Sequence, residues 1–113
     1  MSNESAPLFR AALLPRRMPL DLPCVLHFPD RDLEARTYDI CYGGIGLLLP
    51  EATPEFSPAS LRAVSVDALG EVLLDMRWRR MHRIGAAFAE QDAVQGQLAR
   101  FFRDIGSYPE SAL

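Results

Sequence analysis

From Leu20 onward the apolar side chains recur at every second position. Leu20, Leu22, Cys24, Leu26 and Phe28 share one face, while Asp21, Pro23, Val25 and His27 take the other. A period of two is the mark of a strand with one buried face. Pro23 has no amide proton to give to a ladder, so it suits an edge or the start of the strand. Pro29-Asp30-Arg31-Asp32 has turn chemistry and returns the chain antiparallel through residues 33–40. The stretch Asp39–Gly46, DICYGGIG, then places a second turn at Gly43-Gly44, followed by a strand from Ile45 to Leu49.

Three prolines make Pro50–Ser60 a loop, and Leu61–Val66 and Leu69–Arg80 read as further strands. In the longer one, Val72, Leu74, Met76 and Trp78 fall opposite Asp75, Arg77 and Arg79, which assigns Trp78 to the core rather than to a stacking role. Ile84, Ala86 and Phe88 form the last alternating run. The period then changes: Val94, Leu98, Phe101 and Ile105 are spaced as a helical stripe. Asp92 or a neighbour caps its start and Gly106 its end. Six short strands and one terminal helix, with no βαβ alternation, predict a mainly β protein: a six-stranded antiparallel barrel with a C-terminal α-helix.

Composition adds bounds. A chain of 113 residues fits one domain with a modest core. Residues 1–19, with prolines at 7, 15 and 19, read as a mobile arm; 20–106 form the barrel and helix; 107–113 are a tail. Net charge is −3, which disfavours DNA or RNA as partners. The arm is nonetheless positive, because Arg10, Arg16 and Arg17 outweigh Glu4. Every basic residue is arginine. Neither a signal peptide nor an 18-residue apolar run is visible, so the expectation is a cytoplasmic protein without membrane insertion.

Candidate chemistry is sparse. Cys24, Cys41, His27 and His82 lack metal-ligand spacing, and neither a P-loop nor a serine-hydrolase elbow is present. The sequence shows no catalytic constellation and implies no enzyme. The cluster Arg77, Arg79, Arg80 and Arg83 reads as a solvated strand face paired with nearby acids.

The segment LPRRMPLDLP, the turn DICYGGIG and the late GAAF before an amphipathic helix resemble a PilZ domain, over roughly Leu14–Ile105. PilZ domains are six-stranded bacterial barrels, many of them receptors for cyclic di-GMP. The family's ligand signature is an N-terminal RxxxR and a D/N-x-S-x-x-G at a strand turn. Asp39, Cys41 and Gly44 match the second part, with a thiol in place of the hydroxyl. The first part has no match at four-residue spacing: Leu13 precedes Arg17 and Ala12 precedes Arg16, and the earlier cation is Arg10. The resemblance implies a ligand site of Arg10, Arg16, Arg17, Asp39, Cys41, Gly43 and Gly44.

The chemistry of that ligand agrees with these residue types. An arginine fork meets guanine O6 and N7 together, and a carboxylate accepts from guanine N1–H and N2–H. Glycines admit a flat base close to the backbone. Each residue also has a plain reading: Asp39 as a turn cap, Cys41 as a small core residue, and the two glycines as ordinary turn formers. Two functions follow. One is a cyclic di-GMP receptor that signals to a protein partner, in motility or biofilm formation, with an arm over residues 10–19 that orders on the ligand. The other is a nucleotide-free adaptor acting through protein contacts, as in pilus or motility assembly. A homodimer is left open.

Overall fold

The computed structural model describes residues 17–53 and 55–105. Its strands are β1 (Met18–Pro19), β2 (Pro23–Phe28), β3 (Arg31–Ile40), β4 (Gly44–Leu48), β5 (Ala63–Val66), β6 (Gly70–Arg80) and β7 (Arg83–Phe88); they are followed by helix α1 (Gln91–Ile105). Hydrogen bonding runs in the order β1-β3-β2-β5-β6-β7-β4, and β4 pairs again with β3. Six antiparallel strands therefore close into a barrel, as the alternating pattern predicts, and closure removes the exposed edges.

The two-residue β1 is the element that the pattern does not show. The alternation of burial runs unbroken to Phe28, but the pairing does not: β1 pairs with β3 at Met18↔Ile40 and Pro19↔Asp39, whereas β2 pairs from Pro23↔Arg36 onward. Thr37 fills the gap, its hydroxyl accepting from the Leu22 amide at 2.8 Å and donating to the Leu20 carbonyl at 2.6 Å. Pro23 stands at the first position of β2, where its missing amide is tolerated. The loop over 50–60 contains one 3-10 turn, Pro58–Ser60.

Barrel and helix share a core. Leu26, Ile40, Ile45, Leu47, Val64, Ile84, Leu98, Phe101 and Phe102 are all fully buried. The buried stripe of α1 is Val94, Leu98, Phe101 and Phe102, while Ile105, expected on it, lies at the frayed end and is exposed. Asp92 sits inside the first turn of the helix rather than at its cap, because α1 begins at Gln91 and Glu90 accepts its first backbone bond from Val94.

Cys24 lies in this core, and its thiol is pushed up from 9.0 to about 11, chiefly by burial, with Arg36 pulling weakly the other way. The unfolded chain releases this proton near 9 whereas the folded chain holds it. Stability is therefore expected to fall as pH rises from about 9 to about 11. Urea unfolding midpoints across that window measure the fall, and Cys24→Ala should flatten it.

Candidate functional site

Two bulges build one wall of the barrel. The β3–β4 pairing slips between Thr37↔Leu47 and Asp39↔Gly46, so Tyr38 is the extra residue. Strict alternation from the buried Ala35 and Thr37 would turn Asp39 inward. The inserted residue instead sets Tyr38 and Asp39 on the outer side and returns Ile40 to the core. A second slip lies between Met76↔Ala86 and Trp78↔Gly85, with Arg77 the extra residue. It turns Trp78 out of the core face, contrary to the expectation from its spacing, and leaves it 49% exposed.

Arg17 reaches this wall because β1 lies along β3 next to Asp39. Its Nε donates to Asp39 Oδ2 and its Nη2 to Oδ1, each at 2.8 Å, a fork-on-carboxylate pair. Its Nη1 donates to Cys41 Sγ at 3.3 Å, so the thiol and the carboxylate meet the same cation. Cys41 itself is buried. The Arg17 side chain is 45% exposed and that of Asp39 20%, so the pair is partly screened by water and holds by about 1 kcal/mol.

The glycines serve the site in different ways. Neither Gly43 nor Gly44 adopts a positive φ, so the turn does not require glycine for its backbone, contrary to the plain turn-former reading. Gly44 is needed because a Cβ there would drive into the Ala86 carbonyl oxygen of β7, whereas Gly43 has only ordinary neighbours. Gly46 leaves the space that the Asp39 carboxylate fills, and Gly85 lies under the Trp78 indole, which a Cβ would overlap.

Around these groups runs a cleft of about 470 Å³, lined by Arg17, Asp39, Cys41, Trp78, Arg77 and Arg83 together with Tyr38 and the glycine turn. Three guanidiniums against one carboxylate give it a local charge of +2 on a chain of −3. The expectation that the late arginines form only a solvated face is thus corrected in part. Arg77 pairs loosely with Asp75 at 3.7 Å, and Arg83 stacks 4.4 Å over the Tyr38 ring, yet both border the cleft. Arg79 instead packs over Phe56. Arg10 and Arg16 lie outside the described residues, so of the three arm arginines the structure places Arg17 alone.

Sequence reasoning did not single out Tyr38, Gly46 or Gly85, and it weighed Arg77, Arg83 and Trp78 but assigned them to a solvated face and to the core. A signal for Trp78 was present. If Met81-His82 is taken as the turn, counting back pairs Arg80 with Arg83, Arg79 with Ile84 and Trp78 with Gly85, as observed. That register puts Ile84 inside and Trp78 outside, in conflict with the Val72–Met76 face. Only a bulge satisfies both.

Helix α1 holds the turn from behind. Gln91 Nε2 donates to the Gly43 carbonyl at 3.2 Å and Gln95 Nε2 to that of Tyr42 at 3.4 Å. The Tyr42 ring meets the edge of Phe102 at 5.1 Å.

Gly85→Ala tests the indole wall. The added methyl should push the ring toward water at little cost in stability, since Trp78 is already half exposed. With Trp78 the single tryptophan of the chain, a red-shifted emission reports the displacement. If the wall stacks a base, affinity for a purine ligand should drop about 5- to 150-fold, the equivalent of about 1–3 kcal/mol. Unchanged emission would show that the ring does not rest on Gly85.

The fold and cleft define a small antiparallel barrel with an arginine–carboxylate–tryptophan pocket beside a glycine turn. The PilZ domain model matches residues 14–104, and the chain belongs to that family. No curated protein matches the chain. Among solved structures, the chain is similar to Escherichia coli YcgR, determined in complex with c-di-GMP, at 21% identity and a TM-score of 0.49, over 80% of this chain and 46% of that one. The chain therefore spans less than half the length of YcgR. No helix among the described residues is long and apolar enough to cross a membrane.

Proposed function

We propose that this chain is a cyclic di-GMP receptor. The observation that carries the reading is the fork-on-carboxylate pair Arg17–Asp39, set 2.8 Å apart at the mouth of an arginine-rich cleft that also exposes an indole face. Each group has a partner on the ligand: Arg17 for guanine O6 and N7, Asp39 for N1–H and N2–H, Trp78 for a base face, and Arg77 and Arg83 for phosphate oxygens. The expected ordering of the arm narrows to residues 10–16, because Met18–Pro19 already pairs with β3; there Arg10 and Arg16 supply further cations, and the amides gain protection when nucleotide is added. The output is a changed surface offered to a protein partner, carried from the glycine turn to α1 through Gln91, Gln95 and Phe102.

The free-state pairing of Arg17 with Asp39 favours a second reading, the nucleotide-free adaptor, because the two groups satisfy one another. Magnitudes support the receptor. The partly screened pair contributes about 1 kcal/mol, and each bidentate contact with a guanine about 1–3 kcal/mol, so exchanging the first for the others is downhill. Calorimetric titration of cyclic di-GMP into the chain, with amide exchange followed over residues 10–16, tests the proposal. Saturable heat with slowed exchange supports it; no heat at millimolar nucleotide would leave the adaptor.

A further inference from the structure

Away from the cleft, three strands bring a hydroxyl, an imidazole and a carboxylate into line. His27 stands opposite Asp32 across β2 and β3, and its Nδ1 lies 2.8 Å from Asp32 Oδ1. On the other side its Nε2 lies 2.7 Å from Ser65 Oγ on β5. The two contacts together select a tautomer. A neutral ring with its proton on Nε2 would aim the Nδ1 lone pair at a carboxylate oxygen, which is repulsive. With the proton on Nδ1, the ring donates to Asp32 and Nε2 is left as the acceptor for the serine hydroxyl. The imidazole is thus oriented on one side and poised as a base toward Ser65 on the other.

Ser65 also borders a cavity of about 850 Å³ at the far end of β4, shared with Cys24, Ala35, Leu49 and Val66. The lining is mixed, with those four on an apolar side and Glu34, Arg36 and Asp67 on a charged one; a short acyl chain fits against the apolar side, next to an oxygen whose proton has a ready acceptor. Strand β5 is bonded to β2 on one edge and to β6 on the other, so the amides around Ser65 are committed to ladders. A tetrahedral oxyanion would meet no pair of free donors there, which denies the site the largest single contribution to acyl-transfer catalysis. The arrangement suits one slow acylation and no rapid turnover.

We propose that Ser65 is a modification site: an oxygen nucleophile, assisted by His27 with Asp32 orienting the ring, that accepts an acyl group from activated esters of short apolar acids. Ser65 Oγ bonds to the ester carbonyl carbon as its proton passes to His27 Nε2. The ester C–O bond breaks, and the departing oxygen takes its electron pair and then the proton from His27. The products are an O-acyl serine and an alcohol, with neither oxidation nor reduction. The inference stands apart from the nucleotide reading, for it uses no residue of the cleft.

The test is incubation of the full chain with p-nitrophenyl butyrate, counting nitrophenolate released per chain and locating the acyl group by peptide mass. With no lysine in the chain, no side-chain amine competes, and the peptide mass separates acylation of the α-amino group from that of Ser65. One butyryl group on Ser65 is expected, with none on that peptide in Ser65→Ala. His27→Gln, still folded by its thermal transition, should acylate about 100-fold or more slowly, the range for loss of a general base. Equal acylation of wild type and His27→Gln, or butyryl groups scattered over tyrosines and cysteines with Ser65 unmodified, would overturn the assignment.

Discussion

Alanine in place of Arg17 or of Asp39 is expected to weaken cyclic di-GMP binding by about 5- to 150-fold each, with the barrel still folded. Each substitution removes one bidentate contact, at about 1–3 kcal/mol, where 1.4 kcal/mol is tenfold. Stability should fall less, since the pair is partly screened by water and holds by about 1 kcal/mol. The double substitution carries sharper information. In the wild type, the ligand must first separate Arg17 from Asp39, and either single substitution relieves it of that cost. The double variant should therefore lose more affinity than the two singles summed, by the worth of the ion pair, up to about 1 kcal/mol. A calorimetric cycle over the four proteins reads this directly. Wild-type affinity in both single variants would show that the ligand, if bound, sits elsewhere.

The barrel was legible because alternation is physical: where one face is buried, a period of two must persist, and 20–28 and 84–88 keep it. What alternation cannot show is a place where the chain gains one residue. Asp39 was found through its motif, although the period of β3 would have buried it. Trp78 had no motif and was assigned to the core, because Val72, Leu74 and Met76 set a face that the bulge at Arg77 then reverses. Both errors of period fall on the wall that forms the cleft, as expected where a sheet departs from regularity to aim side chains outward. The line of Ser65, His27 and Asp32 was illegible for another reason. Its members come from three strands, and only the register of β2 against β3 and β5 brings them together. Gly44 carries a constraint that the motif does not show: it yields space to the Ala86 carbonyl, which no inspection of the turn alone reveals.

Phe102→Ala is expected to cost about 3–5 kcal/mol, lowering the melting temperature by more than about 10 °C, and to weaken nucleotide binding without touching the ligand. Phe102 is fully buried, packs edge-on against Phe101 at 5.7 Å and against Tyr42 at 5.1 Å, and so ties α1 to the turn that follows Asp39. Truncation leaves a cavity where the helix meets the barrel. The Gln91 and Gln95 bonds to the Gly43 and Tyr42 carbonyls lie on that same helix, so a loosened α1 frees the whole turn. Cys41 and Gly44 would then sample more positions, and the ligand would have to order them on binding. Arg100→Ala, on the exposed face of the helix, should change stability by less than about 0.5 kcal/mol and provides the control. Thermal unfolding gives the first effect; titration well below the lowered transition, with circular dichroism confirming a folded chain, gives the second. Full affinity in a folded but destabilised Phe102→Ala would separate the helix from the site and remove the route by which the cleft could speak to a partner through α1.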